Sequence, residues 1–152
     1  MHIAIGSDHA GFEYKKAVKE YLKKSGHKVT DFGTFSQESC DYPDFGLAVA
    51  EAVAQGKFDR GILVCNSGIG MSIIANKVPG IRAALCWNTT TAKSASDHNM
   101  TNILCLAQGM TRLSEVKKML GLWLDTPFAG GRHLRRVNKI REFEKKYLKG
   151  AR

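Results

Sequence analysis

The chain has 152 residues, enough for one ordinary domain with a core of its own. Its hydrophobic fraction of 43% and charged fraction of 24% lie near globular averages, which excludes a disordered chain. A net charge of +9 suits nucleic acid or small anions, yet no nucleic-acid motif interleaves aromatics with the basic residues, and no apolar run approaches the ~20 residues of a membrane span. The expectation is a cytoplasmic protein with no nucleic-acid and no membrane partner.

Taken in order, Ile3–Gly6 reads as a strand and Phe12–Lys24 as an amphipathic helix stopped by Gly26. Lys15, Lys16, Lys19, Lys23 and Lys24 read as that helix's solvated face. Lys28–Phe32 is a weaker strand, and 34–42 a polar loop. Pro43 suits the first turn of a helix through Ala54, which Gly56 ends. Gly61–Cys65 is a strand, Gly68–Lys77 is helical, and Pro79-Gly80 breaks the chain before a strand at Ile81–Cys86. Thr90–Asp97 is a small-residue helix and Ile103–Leu106 a fifth strand. Ser114 is placed to cap a helix to Leu124, and a charged helix of about 132–149 closes the chain. Strands alternating with helices predict an α/β fold: one Rossmann-like, doubly wound, parallel five-stranded sheet with helices on both faces, in a single domain over 1–152. Ligands of such sheets bind at the carboxyl ends of the strands.

Four constellations carry candidate chemistry. In Cys65-Asn66-Ser67-Gly68-Ile69-Gly70 a strand ends, a glycine-rich turn follows and a helix begins. Backbone N–H groups there suit an anion, and the positive end of a helix favours a thiolate, so Cys65 fits a base or nucleophile. The same residues also fit a tight turn that needs glycine, with Cys65 as a buried strand end. Asp8-His9 after the first strand suits sugar hydroxyls, phosphate or proton transfer, or else a helix cap and a surface histidine. His98-Asn99 ends a helix and fits a general acid/base with an oxyanion donor, or a simple charge-complementing cap. In Gly130-Gly131-Arg132-His133-Leu134-Arg135-Arg136, the two arginines at 132 and 136 share a helix face and could clamp a phosphate. Positive charge at a helix start opposes the dipole, which is easier to understand with an anion bound. The other cysteines form no C-x-x-C pair, and Cys86 and Cys105 read as small buried hydrophobes.

The segments GSDHAGF, DFGT, DYPDFG, GILVCNSGIGMSIIANKVPGIRAAL, DHNMTN and GGRHLRRV occur together and in order. In these segments the sequence resembles ribose-5-phosphate isomerase type B, within the superfamily that includes galactose-6-phosphate isomerase subunits. The resemblance implies a metal-free, cofactor-free aldose–ketose isomerase acting through a cis-enediolate on ribose 5-phosphate and ribulose 5-phosphate. It implies that Cys65 moves the proton between C1 and C2 and that His98 assists ring opening. Asn99 and the backbone from Asn66 through Gly68 and Ile69 to Gly70 would stabilise the enediolate, and Ser67 would touch the substrate. Asp8 and Tyr42 would contact sugar oxygens, and His9, Arg132 and Arg136, with His133 nearby, would hold phosphate. The site would be shared between subunits of a homodimer, or of a tetramer of dimers, with the C-terminal helix packed on the partner. A hexose-6-phosphate isomerase (allose or galactose type) and a non-catalytic sugar-phosphate binder are the alternatives. The chain departs from the family pattern in three places. Asn66 stands where glycine is usual, Ala107-Gln108-Gly109 lacks an arginine that often follows the fifth strand, and Met100 replaces a polar residue.

Overall fold

The computed structural model describes residues 1–148. In chain order the elements are β1 (His2–Ser7), a single 3-10 turn (His9–Gly11), α1 (Phe12–Lys24), β2 (Lys28–Asp31), α2 (Tyr42–Ala54) and β3 (Arg60–Cys65). There follow α3 (Ile69–Ala75), β4 (Ala83–Leu85), α4 (Thr89–Asp97), β5 (Ile103–Ala107), α5 (Leu113–Asp125) and α6 (Gly131–Leu148). The strands form one parallel sheet in the order β2-β1-β3-β5-β4, the doubly wound arrangement expected from the alternating pattern. The chain leaves β1 toward β2 and then returns past it to β3. The winding therefore reverses between β1 and β3, where a parallel sheet opens a crevice at the carboxyl edge.

Side-chain alternation along the strands divides the core into two layers. Ile3, Ile5, Ile62, Val64, Leu104 and Leu106 face α1, α4 and α5. Ala4, Leu63, Cys65, Ile103 and Cys105 face α2 and α3. Both faces of the sheet are covered, which is why β3 and β5 read as continuous apolar runs rather than alternating ones. Trp123 of α5 is fully buried and donates its indole N–H to Thr101 Oγ1 at 2.8 Å, while that hydroxyl donates to the Ala95 carbonyl at 2.9 Å. One hydroxyl thus satisfies two buried polar groups and ties α5 to the end of α4.

Several boundaries differ from the expected ones for identifiable reasons. Strand β4 is shorter than Ile81–Cys86 because it is an edge strand. The Asn76 carboxamide accepts from Ala83 N–H at 2.9 Å and donates to the Ala83 carbonyl at 2.9 Å, standing in for a neighbouring strand. Helix α5 starts at Leu113 with Arg112 at its cap position, so Ser114 lies inside the first turn and is not the cap. Helix α6 starts at Gly131, so Arg132 and His133 belong to its first turn. Lys149, at the end of the expected 132–149 helix, lies outside the described residues.

Lys15 is a correction. It is not solvated with its neighbours but 1% exposed, on the buried stripe with Val18 and Leu22. Its ammonium donates to Asp31 Oδ1 at 2.6 Å and to the Thr34 carbonyl, and the Phe12 and Phe35 rings lie 5.6 and 5.1 Å away. Burial lowers the Lys15 pKa against the opposing pull of Asp31. Burial works to raise the Asp31 pKa, but bonds from Lys15, Lys19 and the Gly33 N–H outweigh it and hold the carboxyl below its ordinary value. Among the described residues, no helix is long and apolar enough to cross a membrane.

Candidate active site

Strand β3 ends at Cys65, 6% exposed, and the chain turns directly into α3. Gly68 makes that turn with φ at 75°, a left-handed conformation that costs an ordinary residue about 1–2 kcal/mol. A Cβ on it would also lie 2.4 Å from Leu85 Cδ1. The turn aims the Gly68 N–H at Cys65 Sγ, 3.0 Å away, so a backbone donor supports negative charge on sulfur. Ser67 Oγ accepts from the Ile69 N–H at 3.3 Å. The N–H groups of Gly70 and Met71, at the helix start, have no acceptor within the helix. Gly70 lies against the Tyr42 ring so closely that a Cβ there would be 2.7 Å from Cζ, which packs the start of α2 onto the start of α3.

Burial pushes Cys86 up to about 11 and Cys105 well above its ordinary value, which keeps both protonated and inert. Beside the Cys65 turn, after β1, Asp8 accepts from the Gly11 N–H at 2.9 Å and so caps the 3-10 turn that carries His9. Asp8 is 8% exposed, and its backbone N–H reaches the Val64 carbonyl at 3.3 Å, locking this segment onto β3. His9 Nδ1 accepts from the Cys40 N–H at 3.2 Å. Asp8, His9, Tyr42 and Cys65 through Gly70 therefore gather at the carboxyl edge of the sheet.

The remaining candidates gather at the opposite edge. His98 follows the last residue of α4, and α4 runs from the carboxyl end of β4 down to the amino end of β5. Cys65 pairs with Ala107 at the far end of β5, so the length of that strand, about 16 Å at 3.3 Å per residue, separates the two regions. His98 is stacked on His133 of α6, with centroids 4.2 Å apart and planes 3° from parallel. The junction is held by the Ala129 N–H, which donates to the Asp97 carbonyl at 3.0 Å, and by Ser96 Oγ, which donates to the Thr126 carbonyl at 2.8 Å. Arg132 and Arg136 are exposed there, with no acidic residue in the first turn of α6. The His133 pKa lies below its ordinary value, first because of partial burial and then because of His98, Arg132 and Arg136. Asn99 donates to the Ser94 carbonyl at 3.0 Å and borders a cavity of about 470 Å³ between α6 and the β4 edge, lined also by Ile81, Arg82, Ile140 and Phe143.

Two of the departures from the family pattern are one feature. The Gly109 N–H donates to the Asn66 carbonyl at 2.9 Å, and a Cβ at 109 would lie 2.3 Å from Asn66 Oδ1. The side chain at 66 fills the space that one at 109 would need. Met100 adopts φ at 49° and directs its carbonyl to Arg82 Nε at 2.8 Å, so it serves the chain reversal after α4. What the sequence reading missed is the Lys15–Asp31 pair and the Cys40 N–H on His9. The spacing of Lys15 with Phe12, Val18 and Leu22 was the available signal for the first, while a backbone donor leaves none.

Among the described residues, no three His, Cys, Asp or Glu residues gather as a metal site. The family model described as Ribose/Galactose Isomerase matches residues 3–140. The ribose-5-phosphate isomerase B of Escherichia coli is 42% identical over 95% of this chain and 97% of its own length. A solved ribose-5-phosphate isomerase B from Clostridium thermocellum is 53% identical, covers 97% of this chain and 99% of that one, and superposes with a TM-score of 0.95. The Mycoplasma genitalium enzyme, solved with ribulose 5-phosphate bound, is 41% identical with a TM-score of 0.92, over 95% of this chain and 97% of that one. With the parallel sheet, the Cys65 turn and the histidine–arginine cluster in place, these matches show that the chain belongs to the ribose/galactose isomerase family.

Proposed function

We propose that this chain interconverts ribose 5-phosphate and ribulose 5-phosphate, and that each active site is assembled from two copies of it. The observation that carries the reading is the division of the candidate residues between opposite edges of the sheet. Hydrogen bonds act over about 3 Å, so one small sugar phosphate cannot touch Cys65 and His98 of the same chain across the length of β5. A two-fold axis perpendicular to the strands exchanges the two edges. It brings the Cys65 turn of one copy to the His98 cluster of the other, and by symmetry forms two identical sites. Ile69 and Ile73 on α3, with Ile140 and Phe143 on α6, supply exposed apolar surface on that side of the molecule.

In this assembly Arg132 and Arg136 hold the phosphate from α6, and His9 donates to it from the facing copy. His98 moves the proton that opens the furanose, leaving an acyclic aldehyde. The thiolate of Cys65 takes the proton from C2, and the electron pair moves onto the carbonyl oxygen as the enediolate forms. Free N–H groups at the start of α3, with Asn99, stabilise that oxygen. The proton then returns from Cys65 to C1 while the O2 hydroxyl passes its proton to O1, so that the carbonyl reforms at C2. Asp8, Tyr42 and Ser67 position the sugar oxygens.

The test is turnover of ribose 5-phosphate, allose 6-phosphate and galactose 6-phosphate, with chelator present. Wild type is expected to prefer ribose 5-phosphate, and Cys65→Ala to lose about 10³-fold in kcat while remaining folded. Turnover of none of the three would end the isomerase reading, and full activity in Cys65→Ala would remove the thiol from the mechanism.

A further inference from the structure

The loop 32–41, between β2 and α2, has exposed residues from Phe35 to Ser39 and no regular structure, yet both of its ends grip the segment that carries His9. At its start, the Ser7 N–H donates to the Gly33 carbonyl and the Thr34 N–H donates to the Ser7 carbonyl, each at 2.7 Å. At its end, the Cys40 N–H donates to His9 Nδ1 at 3.2 Å. A backbone N–H can only donate, so His9 Nδ1 must be the acceptor and the ring proton must sit on Nε2. That tautomer leaves one N–H donor pointing away from the loop, available to a phosphate oxygen.

What fixes the loop lies beneath it. Lys15 is the one lysine of α1 that is buried, and its ammonium is divided between Asp31, the last residue of β2, and the Thr34 carbonyl inside the loop. Asp31 also accepts from the Gly33 N–H at 3.0 Å and from Lys19 at 2.7 Å. Burying an ammonium is unfavourable unless strong partners compensate, and a fully paired one leaves its partners little freedom. We infer that Lys15 is a positioning residue for the isomerase reaction: by clamping Asp31 and Thr34 it holds loop 32–41 in register, and the loop in turn holds His9 as an Nε2–H donor toward the substrate phosphate. The phosphate part rests on the function proposed above, whereas the tautomer part does not.

Lys15→Met keeps the length of the stem and removes the charge. The expected result is a folded protein whose KM for ribose 5-phosphate rises about tenfold with kcat within twofold, the size of one lost hydrogen bond. Nitrogen-15 spectra of the imidazole in the ligand-free protein are expected to show His9 purely as the Nε2–H form in wild type and as a mixture in the variant. Lys19→Met, which removes the half-exposed partner of the other Asp31 oxygen, is expected to leave the His9 signals unchanged. Should Lys15→Met fail to fold, Asp31→Asn is read by the same two measurements and is expected to change both in the same direction. A folded Lys15→Met with wild-type His9 signals and unchanged KM overturns the inference, as does a loss confined to kcat. The spectra are read without substrate, so they decide the positioning role even if the substrate assignment fails.

Discussion

The two halves of the candidate site are built on different terms. The carboxyl-edge half is held by its own chain. Cys65 is bonded by Gly68, Asp8 by Gly11 and Val64, and His9 by Cys40, and the residues beneath are fully buried. The amino-edge half is open. His98, Arg132 and Arg136 are exposed, four positive or titratable side chains (Arg132, His133, Arg135 and Arg136) crowd one helix start, and among the described apolar side chains of α6 only Val137 is buried. The first half is finished by folding. The second, in the function proposed above, is completed by the anion and the partner copy.

Complementation between the two halves tests their division most severely. Equal amounts of Cys65→Ala and His98→Asn, each nearly inactive, are unfolded, mixed and refolded. Half of random dimers are hybrids, and each hybrid carries one intact site, so recovery of about one quarter of the wild-type rate is expected. No recovery would mean that both halves serve the same chain. A second test probes the finished half alone. Gly68→Ala should lower stability by about 1–2 kcal/mol, read by denaturant melting, because of its positive φ and the clash with Leu85. It should also lower kcat by pulling the amide away from Cys65.

The smallest effect concerns the open half. His133 is held below its ordinary value, so near its titration range the folded protein binds fewer protons than the unfolded chain. Its contribution to stability therefore falls as pH drops below about 6.5. An NMR titration should place His133 below that value, Arg132→Gln should move it up, and so should bound inorganic phosphate. A His133 that ignores both would mean that the cluster does not act as an anion site.

Much of this was legible along the chain. The apolar stripe of Phe12–Lys24, the proline in the first turn of α2 at Pro43 and the buried β3 and β5 follow from local spacing. The Cys65 turn is legible because left-handed glycine and a strand end leave a short pattern. The division of the candidate site is legible only through the family resemblance and not from local spacing, because the rule that ligands gather at carboxyl ends describes a single chain. His98-Asn99, at the end of α4, falls on the other edge. Lys15 was misread because charge suggested solvent, whereas its position on the helix placed it inside.

Asn76 carries a consequence of another kind. The outermost strand of an open sheet is a template on which further strands, from any chain, can add without limit. Strand β4 is only Ala83–Leu85, and at its first residue the template is already taken by a side-chain amide that mimics a strand. Sheet extension, which has no natural end, is thereby disfavoured at this edge, and any contact between copies is left to side-chain surfaces, where association can close at a fixed number.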